Sequence, residues 1–185
     1  MVKRSLALTR RFSTFSLLFI LLAGTVLAML VRQHELQQLE ALVEERNVVM
    51  TQVFLNVLSD DIRDLVSETD SATQQANYKQ LEQTIASLIQ GSDIAKLKIY
   101  NLAGLVVFST DPTQLGEDKS GNSGFNLARL GNPNSELTHR KQFSSTEGEK
   151  VDVDLVASYI PMHQAGTVFG VIELYQDVTR PLAAI

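Results

Sequence analysis

The longest stretch of uniform character in the chain is Phe12–Val31, which contains no charged residue. About 20 apolar residues in a helix rise ~30 Å, enough to cross the hydrocarbon core of a bilayer. Charges at that depth are costly, so their absence fits a membrane span. The pattern then changes. From Arg32 to about Thr69 there is neither Gly nor Pro, and apolar residues fall at Leu36, Leu39, Val43, Met50, Val53, Val57 and Leu65. Leu42, Val49, Phe54, Leu58 and Ile62 sit beside them, and steps of three and four predict an amphipathic helix continuous with the first. That helix would be ~55 Å long. Its first part, Gln33–Met50, carries a narrow stripe among Glu and Gln that suits a seam to a partner helix, although Arg46 interrupts it. A single solvated stalk is the alternative. From Val53 the apolar face widens, as packing on a domain requires.

Ser67–Ala76 reads as a polar break, followed by a second helix with Tyr78, Leu81, Ile85 and Leu88 on one face and Gly91 past its end. The period then shortens to two. Leu97 and Ile99 alternate with Lys96, Lys98 and Tyr100, Asn101–Gly104 forms a turn, and Leu105–Phe108 is a short apolar strand, together a hairpin. Asp111–Ser135 holds four glycines and two prolines and is too long for a plain connection, which marks it as functional or mobile. Phe125–Leu130 is expected to form a helical turn within it. Glu136–Ser144 and Lys150–Pro161 read as strands around a Glu147-Gly148 turn. His163–Gly166 is another turn, and Val168–Tyr175 is a nearly continuous apolar run, expected as a central strand covered on both faces. Two helices, two strands, a long loop and three strands make an α+β architecture with an antiparallel sheet.

The flanks of the apolar span set its orientation. Lys3, Arg4, Arg10 and Arg11 precede it without an acid, whereas Arg32 and Arg46 follow among Glu35, Glu40, Glu44 and Glu45. The positive-inside rule puts the N-terminus in the cytoplasm and the body outside. A cleaved signal peptide, with Val26-Leu27-Ala28 as its site, is the alternative, but the apolar run exceeds the usual signal length. The expected division is a cytoplasmic end over 1–11, a transmembrane helix over 12–31, a stalk and sensor helix over 32–68, and one domain over 69–180. Residues 181–185 would open a second span. The whole is a single-pass protein of the inner membrane with a periplasmic domain. Net charge is −5, which supplies no footprint for nucleic acid, and there is no cysteine for a disulfide or a thiolate metal site.

No phosphate-binding loop, nucleophile elbow or zinc-protease motif is present, and the three histidines share no ligand spacing. No nucleophile is paired with a base, so no catalytic residue, metal site or cofactor is assigned. Arg129, His139, Arg140 and Lys141 lie in or just after the long loop, where Arg forks would suit the carboxylate of an anionic metabolite or amino acid. Tyr100 and Tyr159 would wall such a pocket or belong to the core. Glu173 interrupts the apolar run. A carboxylate there must face water, a partner or a pocket, and exposure is the plainer expectation. Asp152 and Asp154 are expected on a solvated strand face, too few to hold a hard cation.

Ile99-Tyr100-Asn101-Leu102-Ala103-Gly104-Leu105-Val106-Val107-Phe108-Ser109-Thr110-Asp111, followed by Leu115-Gly116, resembles the signature hairpin of Cache domains, the extracytoplasmic PAS-like sensor domains of bacterial signalling proteins. Val156–Tyr175, with Ile160-Pro161 and Val168–Ile172, is similar to the closing hairpin of that family. The resemblance covers roughly Val49–Thr179. It implies a five-stranded antiparallel sheet backed by the long helix, with a small-molecule pocket between the open face and the long loop. It also implies a second membrane helix leading to a kinase, diguanylate cyclase or chemoreceptor module, as in two-component or cyclic-di-GMP signalling. The expected function is a ligand-sensing input domain, non-enzymatic in itself and acting as a homodimer. The alternative is a membrane-anchored dimerisation module without a small-molecule ligand. The topology has a direct check. A reporter fused after Thr179 should be active only outside the cytoplasm, and activity confined to the cytoplasm would overturn the orientation.

Overall fold

The computed structural model describes the backbone of residues 2–67 and 71–185 and the side chains of residues 12–67 and 78–185. The side chains of the basic cluster Lys3–Arg11 and the centre of the expected polar break, residues 68–70, therefore lie outside the described residues. The chain divides into two compact units, residues 1–38 with Ile185, and residues 39–184.

Helix α1 is one element, Val2–Ser67, in a sequence that carries no proline before Pro112. Within the first unit, Phe12–Val31 exposes nearly all of its apolar side chains, and by length and composition this stretch can cross a membrane.

The second unit is an α+β domain. Its elements after α1 are α2 (Ser71–Ile89), β1 (Ile94–Tyr100), β2 (Val106–Ser109), a 3-10 turn (Pro112–Gln114), α3 (Ser123–Ala128), β3 (Asn134–Ser145), β4 (Gly148–Gln164), β5 (Thr167–Asp177) and α4 (Thr179–Leu182). Helix α2 begins at Ser71, so most of the stretch read as a polar break is helical. The five strands form one sheet in the order β2-β1-β5-β4-β3, all pairs antiparallel. As expected, β5 lies at the centre.

One face of the sheet carries α1 and α2. Phe54, Leu58, Ile62 and Leu65 of α1 recur at helical spacing and meet Leu81, Ile85 and Ile89 of α2. Both rows pack on Leu97, Ile99, Phe108, Ile160, Ile172 and Leu174 of the sheet. Polar contacts fix α1 in register: Asn47 Nδ2 donates to Ser158 Oγ at 2.9 Å, and Leu137 N donates to Glu40 Oε1 at 2.8 Å. The second contact occupies an outward N–H of edge strand β3, which would otherwise be free to pair with another chain. Val43 of α1 also joins Val156 and Val178 in a small cluster near the end of β5.

The opposite, outer face is covered by the segment between β2 and β3. Every residue of β1 is buried, including Lys96 and Lys98, because helices lie on one side of this strand and that segment on the other. The packing predicts a sharp contrast within α1. Ile62→Ala, at a fully buried position, should cost about 2–5 kcal/mol. Val57→Ala, at a position 58% exposed, should stay within about 0.5 kcal/mol. All four tyrosines lie in the second unit, so near-UV circular dichroism during urea unfolding reads this difference.

Candidate functional site

The outer face is organised by cross-strand rows. Lys98, Glu173, Tyr159 and Asn134 stand side by side on β1, β5, β4 and β3. The next row is Lys96, Tyr175, Ala157 and Glu136, and on the other side Tyr100 pairs with Val171. Alternation along each strand puts all of these side chains on the face away from α1.

Glu173 lies at the centre of this arrangement. It is 1% exposed, which corrects the expectation of a solvent-facing carboxylate. Its burial is offset by phenols: the Tyr100 hydroxyl donates to Glu173 Oε2, and Tyr159 and Tyr175 are directed at the same carboxylate. Burial pushes all three hydroxyls far above the ordinary tyrosine value, and the Glu173 charge adds to each. Arg140 opposes the rise at Tyr159 and Tyr175. The phenols therefore remain proton donors at any ordinary pH. Glu173 Oε1 is buried and has no hydrogen-bond partner. An orphaned buried acceptor of this kind costs about 1–3 kcal/mol, and more when charged.

Helix α3 closes the face. Asn122 caps it by accepting from Phe125 N at 2.8 Å. Phe125 packs with Tyr100, Tyr159, Ala128, Val106 and Val171. The Tyr100 and Phe125 ring centroids are 5.6 Å apart, and those of Tyr100 and Tyr159 are 6.3 Å apart. Gly124 makes the close approach of α3 feasible: a Cβ there would lie 2.5 Å from the Tyr159 ring and 2.9 Å from Asn134 Oδ1.

Two buried lysines fasten the segment that leads into α3. Lys96 Nζ meets Asp111 Oδ2 and Gln114 Oε1, each at 3.2 Å, and lies 4.5 Å above the centre of the Phe143 ring. Lys98 Nζ meets Glu117 Oε2 at 3.3 Å, and Lys119 shares that carboxylate. Burial pushes the Lys96 ammonium down, against the pull of Asp111. Burial also works to raise Glu117, but Lys98 and Lys119 outweigh it and the net shift is downward.

Of the residues singled out in the sequence, the structure brings Tyr100, Tyr159 and Glu173 together and places Arg140 on the same face. Arg129 is exposed at the end of α3, with its guanidinium carbon 6.0 Å from the centre of the Phe125 ring. Lys141 is exposed. His139 belongs to the opposite face, one step along β3 from Arg140, with Nδ1 2.8 Å from Asp154 Oδ1. Tyr175, Lys96, Lys98 and Glu117 were not singled out, although Lys96 and Lys98 already showed the two-residue spacing that places both on one face. Two clefts, of about 760 and 540 Å³, border α1 at Leu42 and Arg46, and neither includes Glu173. Among the described residues no group of three or more His, Cys, Asp or Glu is placed to hold a metal ion.

No family model matches the chain, and no curated protein matches it. Among solved structures it is similar to the sensor domain of the histidine kinase DctB from V. cholerae, with 18% identity, a TM-score of 0.48, and coverage of 80% of this chain and 55% of that one. It is also similar to the E. coli DcuS sensor domain, at 11% identity and a TM-score of 0.42, covering 74% of this chain and 96% of that one. A third is the ligand-binding domain of the amino-acid chemoreceptor PctC from Pseudomonas aeruginosa PAO1, solved with GABA. It shows 15% identity and a TM-score of 0.39, with 80% of this chain and 62% of that chain covered. The chain thus spans little more than half of the DctB chain and under two-thirds of the PctC chain.

The covering segment has a pH signature. The Thr113 hydrogen bond, and then Lys96, hold the Asp111 carboxyl at about 2, below its ordinary 3.8. A depressed carboxyl stabilises the fold above its unfolded value, and this contribution is lost as pH falls from about 4 towards 2. Protection of the Thr113–Leu115 amides, relative to their intrinsic exchange, should fall across that window. Asp111→Asn should show low protection already at pH near 6 and little further change, whereas flat protection in the parent would refute the attribution.

Proposed function

We propose that this chain is the extracytoplasmic sensing input domain of a membrane-anchored signalling protein, and that its ligand is a small molecule carrying a cationic amine. The observation that supports this reading is Glu173 Oε1, a buried acceptor without a donor, set among three phenols and Phe125. An ammonium group would supply the missing donor and the opposite charge, and the aromatic faces around it favour a cation. Arg140, on the same face, could meet a carboxylate on the same ligand, so an amino acid fits better than a purely anionic metabolite. Tyr100, Phe125 and Tyr159 are packed together, so entry requires displacement of α3. Occupancy would bias open and closed arrangements of that segment only to the extent that the ligand binds them unequally. The bias would pass along β5 to Val178 and the residues beyond it, towards a kinase, cyclase or chemoreceptor output. Val43 of the Gln33–Met50 stripe is buried against Val156 and Val178, so a homodimer seam would instead use the exposed Leu42, Val49, Val53 and Val57 of α1. The apolar span and its basic flank support a location in the inner membrane with this domain in the periplasm.

A second reading has its own support. The outer face is well filled, and Leu102, Leu105, Leu115, Leu127 and Leu130 are exposed on the turns and on the segment covering the outer face. A dimerisation or interaction module without a small-molecule ligand would show those features. Titration calorimetry of the detergent-solubilised chain separates the two, using panels of amino acids, other primary amines and carboxylates. Saturable binding of an amine is expected, weakened about 10–100-fold by Glu173→Gln. Absence of amine binding, or equal affinity in the variant, would reject the ligand assignment.

A further inference from the structure

Lys98 and Glu173 face each other directly on adjacent antiparallel strands. Their Cβ atoms are thus about 5 Å apart, well within reach of an ion pair between a lysine and a glutamate. The pair is not made. Lys98, 3% exposed, sends its ammonium to Glu117 at 3.3 Å, and Glu173 Oε1 is left without any donor. This choice is unexpected on electrostatic grounds, because attraction between opposite charges is stronger where the surroundings are less polar. Glu117 is the more exposed of the two carboxylates, with 35% of its side chain accessible, against 1% residue exposure for Glu173. The position of Glu117 is held by the backbone: Val106 N donates to Glu117 O at 2.9 Å, and Glu117 N donates to Gln114 O at 3.2 Å. The covering segment thus carries its own acid to the mouth of Lys98.

We propose that the Lys98–Glu117 ion pair sets the charge specificity of the site, holding the protein's own cation off Glu173 so that this carboxylate is reserved for a cation from outside. This rests on the ligand reading above and adds a residue pair that touches no ligand. Glu117 is a positioning residue that acts through Lys98. Without it, Lys98 turns to Glu173 and satisfies Oε1 internally, and the site loses its preference for amines. The arrangement also ties specificity to the closed segment, because the acid that diverts Lys98 arrives only when residues 111–117 lie on the sheet.

The test uses the full chain in detergent. Glu117→Ala removes the acceptor, and the backbone bonds at that position do not depend on its side chain. A crystal structure of the variant should show Lys98 Nζ within hydrogen-bond distance of the Glu173 carboxylate. Calorimetry with the amine that binds the parent should show affinity reduced about tenfold or more. Lys98→Met combined with Glu117→Ala removes the competing cation and should restore affinity to the parent level, a rescue that general loss of structure would not permit. If Lys98 stays off Glu173 in Glu117→Ala, or the double variant binds no better than the single one, the proposal is wrong. If no amine binds even the parent, the ligand reading fails separately, and the position of Lys98 in the variant crystal still decides whether Glu117 diverts it.

Discussion

A carboxylate buried in the middle strand of the sheet is the constraint from which the outer face of this domain follows. Glu173 stays there because phenols gather round it: Tyr100 from β1 donates to Oε2, and Tyr159 from β4 and Tyr175 from β5 itself lie within its electrostatic reach. Tyr100 and Tyr159 keep low exposure because α3 lies over them, and Tyr175 packs on Phe143 of β3. The segment that leads into α3 is in turn held by Lys96 and Lys98, which give up their own hydration to reach Asp111, Gln114 and Glu117. Each of these groups would be unfavourable in isolation, since a buried charge needs a partner. Together they form a polar network with a single open valence.

The other face is built on a simpler rule. Apolar rows of α1 and α2 meet an apolar sheet surface, so the packing there is rigid in the way close-packed interiors are. The two faces therefore divide the work of the domain. The helical side supplies an apolar backing, and the polar side carries the buried network of Lys96, Lys98, Glu173 and the phenols. Between them, Val43 of α1 and Val178 after β5 share one cluster with Val156.

The elements were legible in the sequence because their signals are local. Helical spacing marked α1 and α2, alternation marked β1 and β4, and a nearly continuous apolar run marked the central β5. The covering segment announced itself through its glycines and prolines. The site was only partly legible. Tyr100, Tyr159 and Glu173 stood out individually, but the reason a carboxylate can be buried at 173 lies in phenols as far as 73 residues away in sequence (Tyr100), which no local pattern links. Exposure of Glu173 was accordingly the natural expectation, and it was wrong. His139 and Arg140 differ by one position and so point to opposite faces, a parity set by the register of β3 on β4 and not by residue type. Lys96 and Lys98 looked like the wet side of a strand until their acidic partners in the covering segment were placed above them.

The missing side chain at Gly124 has a consequence of its own. Helix α3 rests flush on the Tyr159 ring only because nothing projects from that position, where even a methyl carbon would meet the ring at 2.5 Å. The lid therefore has a tolerance of less than one carbon atom. Any residue other than glycine would force the helix, the Tyr159 ring or Asn134 to move. One codon therefore decides how closely the helix can approach the sheet.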